Sequence, residues 1–156
     1  MVPVVRPPAV TELPQLGEIE RAADTLFEPL GIVFQPGSVI DEVSDPGKVL
    51  VVGDPPVAFA YADRLDTRLH LHQIAVHPAH VRTGIGSALM AAVIGRAGSA
   101  GVTLTTFRDV PWNGPWYARL GFVELADPGP DLAALVAAER DLAELGPRVV
   151  LYRTGT

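Results

Sequence analysis

None of the 156 residues is cysteine. That excludes a disulfide framework, a thiolate metal site and a cysteine nucleophile carrying a covalent acyl group. Cationic excess is missing too: 12 Lys and Arg stand against 18 Asp and Glu, for a net charge of −6. A general nucleic-acid binder carries a basic surface, so no nucleic-acid partner is expected. The acidic balance suits a cationic amine, although solubility explains it equally well. No run approaches the ~18 apolar residues of a membrane span, so no membrane partner is expected either. The N-terminal MVPVVRPPAV has proline where an export signal has an unbroken apolar helix. The expected location is therefore cytoplasmic. Repeats, low-complexity tracts and long linkers are lacking, and the length suits one domain over residues 1–156.

What is present concentrates in His70 to Met90, HLHQIAVHPAHVRTGIGSALM. An apolar strand breaks at His77-Pro78 and passes through a short polar loop into Gly84-Ile85-Gly86. A helix follows, with Ile85, Leu89 and Val93 on one face. A strand, a glycine-bearing turn and a helix N-terminus in that order make an anion site. The first helical turn leaves N–H groups unpaired and presents the positive end of the macrodipole. Glycine lets the backbone approach a phosphate with no Cβ in the way. A dinucleotide fold needs a third glycine where Leu89 stands, and a P-loop needs a lysine that does not follow. Both nucleotide readings fail.

The loop Val81-Arg82-Thr83-Gly84-Ile85-Gly86 resembles motif A of the GNAT superfamily, the acetyl-CoA-dependent N-acetyltransferases. Asn113-Gly-Pro-Trp-Tyr117-Ala-Arg-Leu-Gly121-Phe122 resembles its motif B at the expected distance. Together the motifs cover residues 48 to 125 well and the two ends loosely. The resemblance implies backbone N–H groups from Arg82 to Ser87 cradling a pyrophosphate, and Ile74, Ala75 and Val76 meeting the pantetheine amides. It also implies Asn113 holding the pantetheine arm and Tyr117 facing the sulfur. One departure stands out: Val81 occupies a position where the family usually has Gln or Arg. Arg82 can restore the positive charge from next door.

The rest of the chain reads as alternating elements. Val2 to Arg6 forms a first strand, and Thr11 to Leu26 a helix burying Leu13, Leu16, Ile19, Ala23 and Leu26. Phe27 to Asp45, punctuated by Pro29, Gly31, Pro36 and Gly37, is mostly loop. Strands follow over Lys48 to Val52, Val57 to Asp63 and Arg68 to Val76, with the central helix over Gly84 to Ala100. Val102 to Phe107 is a buried strand, and a short helix runs from the Pro111-Trp112-Asn113-Gly114 turn through Leu120. Phe122 to Leu125 is a strand, Asp131 to Leu145 a helix capped by Asp131, and Arg148 to Arg153 the last strand. The expected fold class is α/β (α+β). One GNAT-like domain would hold a mixed, mostly antiparallel sheet of about six to seven strands flanked by about four helices, with the ligand where the central strands part. Exposed strand edges leave room for a homodimer.

Acetyl transfer to an amine poses two proton problems. A primary amine with a pKa near ~10 must be neutralised at a cost on the order of 4 kcal/mol at neutral pH. The departing thiolate also benefits from a proton donor. His70 and His72 are the base candidates, two apart on a strand and hence on one face. Within the superfamily this strand resembles that of arylalkylamine (serotonin) N-acetyltransferase, where alternate histidines relay the amine proton through water. His70 alone reads equally as a surface residue at the strand start, and His72, deeper in, is the stronger candidate. Both pKa values should be lowered if the pair shares a dry channel. A metal pair would need a third ligand: His77 has the opposite parity and His80 lies in the loop, so no metal is expected. Tyr117, one turn beyond Asn113, is the acid candidate, or else packs plainly beside Trp116 and Phe122.

For the acceptor, Glu20, Asp24 and Glu28 lie at four-residue spacing and read most simply as a solvated helix face. Phe27, Phe34 and Trp112 make either an aromatic pocket or core. The expected activity is acetyl transfer from acetyl-CoA to a small-molecule primary amine. A peptide or protein amine, or a non-catalytic acyl-CoA-binding regulatory domain, are the alternatives.

Overall fold

Apolar residues run unbroken over 49–52 and 58–60, and such runs build a sheet buried on both faces. The computed structural model describes residues 3–34 and 37–155. Val2 and Pro36 lie outside the described residues. Seven strands join in one sheet: β1 (Val5–Arg6), β2 (Val49–Val52), β3 (Ala58–Leu65), β4 (Arg68–Val76), β5 (Val102–Phe107), β6 (Val123–Glu124) and β7 (Arg148–Arg153). Their order across the sheet is β1-β2-β3-β4-β5-β7-β6, and every pairing is antiparallel except β4 with β5.

Two helices cover the faces. Leu50, Val52, Ala58 and Ala60 point toward α2 (Ile85–Ala97), where Leu89, Met90 and Val93 complete the larger core. Val49, Val51 and Phe59 point the other way, toward Leu16 and Ile19 of α1 (Leu16–Asp24). Each Val, Leu, Ile, Phe or Met side chain fully buried in this way contributes roughly 1.5–3 kcal/mol. The smaller helices are α3 (Asn113–Arg119), α4 (Pro130–Ala138) and α5 (Arg140–Ala143). Among the described residues no helix is long and apolar enough to cross a membrane.

Strand β4 breaks the simple alternation. Tyr61 pairs with Gln73 while its neighbour Ala62 pairs with Leu71, which leaves His72 as the extra residue of a β-bulge. The bulge shifts side-chain parity. Leu71 therefore packs with α2, and Ala75 packs with α1, although they are separated by an even number of residues. Next door, β4 and β5 are joined only at Leu69–Val102 and His70–Thr103. Beyond His70 the two parallel strands part.

Several expectations are corrected. Leu26 is 40% exposed, because the helix gives way at Asp24 to a 3-10 segment over Thr25–Leu30 containing Pro29. The helix expected over residues 131–145 is two, broken at Glu139. Asp131 is not its cap: Gly129 holds that position with Pro130 in the first turn. The carboxylate of Asp66 does the capping from the β3–β4 turn, accepting from the N–H groups of Asp131 at 3.0 Å and Leu132 at 3.1 Å. Asp66 itself sits at φ +58°, a left-handed conformation that aspartate tolerates better than most residues. Asp66→Ala should cost about 1 kcal/mol through the lost cap and lower the melting temperature by roughly 2–4 °C. A calorimetric scan unchanged from the parent chain would show that the cap carries no weight.

Candidate active site

The parting of β4 and β5 opens a cavity of ≈ 1460 Å³ that reaches from the N-terminus of α2 to the segment after α1. The loop before α2 curves because Arg82 (φ +63°) and Gly84 (φ +83°) both take left-handed backbone. Gly84 caps α2, and a Cβ added there would meet only open space within 4 Å. The constraint on Gly84 is thus its φ, not crowding. Gly86 lies against Trp116, whose ring would be 3.6 Å from an added Cβ. Thr83 does not line the cavity; its hydroxyl donates to the His80 carbonyl at 2.6 Å and ties the loop. His77 caps the preceding turn, accepting from the Ala79 N–H at Nδ1. Val81, Arg82, Ile85 and Ser87 do line the cavity with the two glycines. This end offers what a pyrophosphate needs: unpaired first-turn N–H groups, an open approach at Gly84 and a cationic side chain.

On β4, His72, Ile74, Ala75 and Val76 line the same cavity. The Ile74 N–H is held by the side-chain oxygen of Gln73 at 3.0 Å. His72 is half-buried and stacks on Tyr61, with ring centroids 4.6 Å apart. Burial pushes its pKa down, against the raising charge of Asp63, which is itself paired with Lys48 at 2.9 Å. His70 is 4.8 Å from His72, centroid to centroid, so the two imidazoles do share a face. Its surface reading is corrected: His70 is 1% exposed, behind the cavity wall, with Nδ1 hydrogen-bonded to Thr103 Oγ1 at 2.8 Å. Burial first, and His72 second, push the His70 pKa down to about 3. The lowering expected for the pair thus comes mainly from desolvation rather than mutual repulsion.

On the opposite side stand Asn113 and Tyr117, both lining the cavity from α3. Asn113 donates through Nδ2 to Thr106 Oγ1 on β5 at 3.0 Å, which anchors the short helix. Tyr117 packs between Trp116 and Phe122, with centroids 5.0 and 5.7 Å away. Burial raises its hydroxyl to about 12, opposed by the charge of Arg148. Among the described residues no group of three or more His, Cys, Asp or Glu could hold a metal ion.

Residues 45–124, just over half of the chain, match the family model described as "Acetyltransferase (GNAT) domain". The chain belongs to the GNAT acetyltransferases. Solved structures similar to this acetyltransferase share its fold at low identity. Ard1 from Thermoplasma volcanium is 18% identical with a TM-score of 0.69, over 100% of this chain and 99% of that one. A PaiA N-acetyltransferase from Thermoplasma acidophilum, solved with coenzyme A, is 15% identical with a TM-score of 0.69 over 99% of each chain. The ribosomal-protein-S18-alanine N-acetyltransferase of Escherichia coli is 18% identical with a TM-score of 0.68, over 98% of this chain and 94% of that one.

The end of the cavity beside α1 holds what sequence reasoning missed. Glu20 is no solvated residue: at 3% exposure its carboxylate accepts from the N–H groups of Val39 at 2.8 Å and Ile40 at 3.0 Å. Phe27, Phe34, Phe107 and Trp112 cluster at centroid distances of 5.5 to 6.4 Å and line the cavity. They are pocket wall and core at once. Arg148 lies over the Phe107 ring at 4.6 Å and donates to Thr105 Oγ1, which in turn donates to Glu139. Arg148 carried no signal in the sequence, since a strand-opening arginine is ordinary. The Thr103 partner of His70 follows only from the β4–β5 register, and the Thr106 partner of Asn113 only from the docking of α3 on β5.

Proposed function

We propose that this chain moves an acetyl group from acetyl-CoA to a primary amine of a small molecule, by direct attack in a ternary complex. One observation carries the reading: His72, Tyr117 and the N-terminus of α2 open onto a single cavity where β4 and β5 part. The backbone from Arg82 to Ser87 would receive the pyrophosphate, with Arg82 supplying the charge that Val81 lacks. Ile74, Ala75 and Val76 would meet the pantetheine amides along the edge that β5 leaves free, and Asn113 would hold the arm from the other side. Bound acetyl-CoA supplies the thioester. His72 takes the proton of the amine, directly or through water, as its lowered pKa keeps the imidazole neutral near neutral pH. His70, neutral throughout, positions the His72 ring edge-on and accepts no charge of its own. The Tyr117 hydroxyl faces the departing sulfur as its hydrogen-bond donor. Without cysteine there is no thiolate to carry an acyl intermediate.

A peptide amine is the second reading, favoured by the name of the E. coli neighbour, which gives a ribosomal-protein alanine as its acceptor. Titration with acetyl-CoA in a calorimeter, followed by free-thiol release against arylalkylamines, polyamines, aminoglycosides and short peptides, tests both. The parent chain should bind and release thiol with at least one small amine. Gly84→Val should weaken acetyl-CoA by roughly tenfold, because a β-branched residue at positive φ costs on the order of 1–2 kcal/mol and the loop must shift. Binding without thiol release on any class would return the non-catalytic alternative, and release on peptides alone would return the second reading.

A further inference from the structure

The acceptor wall of the cavity holds an acid that no described residue neutralises. Helix α1 leads outward from the reaction centre: the Glu20 carboxylate lies against the side chain of Gln73, the residue next to His72. Asp24 stands one turn further out, about 6 Å along the axis, and Phe27 follows three residues later. Of the other acids lining the cavity, Glu42, Asp141 and Glu144 are exposed to solvent, and the remaining three have partners. Glu20 caps Val39 and Ile40, Asp41 pairs with Arg21 at 3.3 Å, and Glu139 lies 3.8 Å from Arg148. Among the described residues the Asp24 carboxylate has neither an ion pair nor a hydrogen bond, although it is half-buried and lines the cavity. Burial first, with the charge of Glu20 second, holds it up at about 7, and nothing acts in the other direction. A carboxylate in that position is unfavourable until a cation joins it.

The rings beside it are suited to the same guest. Phe27 lies 5.5 Å from Phe34 and 5.6 Å from Trp112, and Trp112 is 44% exposed. Phe107 already carries Arg148 on its face, but among the described residues no cation sits over Phe27, Phe34 or Trp112. Aromatic faces beside a carboxylate attract an alkylammonium both through the ring quadrupole and through charge. The reacting amine cannot be that cation, because it must be neutral to attack. We infer that the acceptor carries a second cationic nitrogen, seated between Asp24 and the rings of Phe27, Phe34 and Trp112, a short aliphatic spacer away from the amine that reacts. The inference rests on the transferase reading and names its substrate class: aliphatic diamines and their longer relatives.

Calorimetry on the CoA-saturated protein with 1,4-diaminobutane, butylamine and 2-phenylethylamine tests it without requiring turnover. The diamine should bind at least about tenfold more tightly than butylamine, the gain expected of one partly buried cation seat. Asp24→Asn should reduce that ratio to within about threefold, and Phe27→Leu should reduce it less while keeping the wall apolar. The same ratios should appear in kcat/KM for thiol release. Equal affinity for diamine and butylamine overturns the inference, as does a preference that survives Asp24→Asn. Tighter binding of 2-phenylethylamine than of the diamine overturns it in favour of an apolar subsite. Failure to bind CoA in the first place would overturn the transferase reading, and the inference with it.

Discussion

Tyr117→Phe should lower kcat by roughly 10²-fold or more while leaving acetyl-CoA affinity within about threefold, the pattern of a group that acts only as the sulfur departs. The ring would stay packed between Trp116 and Phe122, so the protein should melt as before. The pH dependence sharpens the test. Burial holds the hydroxyl at about 12, so Tyr117 keeps its proton throughout any practical assay range. A leaving thiol titrates near ~8.5, so complete transfer from such a tyrosine is uphill. The hydroxyl therefore works by sharing its proton with the sulfur in the transition state, not by delivering it outright. The loss in Tyr117→Phe should then be the same at pH ~6 and pH ~9, with no alkaline limb removed. Stopped thiol-release assays at the two pH values decide this, and turnover equal to that of the parent chain would withdraw Tyr117 from the mechanism.

His72→Ala should behave differently, because its contribution depends on pH. The folded pKa of His72 lies below the ordinary ~6.5, so its neutral form is present at neutral pH and is lost only as pH falls through the lowered value. The acid limb of kcat/KM in the parent chain should accordingly lie below pH ~6.5. Without the imidazole the amine must arrive already neutral, and the limb should move up toward the amine's own pKa near ~10. At pH ~7 the expected loss is about 10²-fold, shrinking as pH rises. An unaltered profile would remove the relay. His70→Ala is a poorer probe, since His70 is buried and bonded to Thr103, and its loss would open a hole in the sheet.

Elements were legible in the sequence where a local pattern and the tertiary environment agree. The strands Arg68–Val76, Val102–Phe107 and Arg148–Arg153 and the buried helix face Ile85, Leu89 and Val93 form where their apolar spacing puts them. Failures came where a distant partner decides. Asp131 looks like a cap, but Asp66 reaches across from the β3–β4 turn and takes the role, and no window around residue 131 records that. Depth along the strand places His72 ahead of His70 as the base. Their burial is instead set sideways, by Thr103 on β5 behind His70 and by the bulge that turns His72 into the cavity. Asp24 and Glu20 show the same asymmetry: four-residue spacing places them on one face of α1, and only the docked segment at Val39 and Ile40 decides that this face is interior.

The narrow seam between β4 and β5 has a further consequence. With only Leu69–Val102 and His70–Thr103 joining them, the sheet consists of a four-stranded sector and a three-stranded sector, joined at one end and parted at the other. Such a seam is where partial opening should begin, at a free energy well below that of global unfolding. A molecule lying along it and contacting both sectors acts as a clasp. By mass action it would add RT ln(1 + [L]/Kd) to the resistance of the chain against opening, about 2.7 kcal/mol at a hundredfold excess over Kd. With acetyl-CoA seated as proposed, its concentration would in that way set the resistance of the chain to opening as well as its rate of turnover.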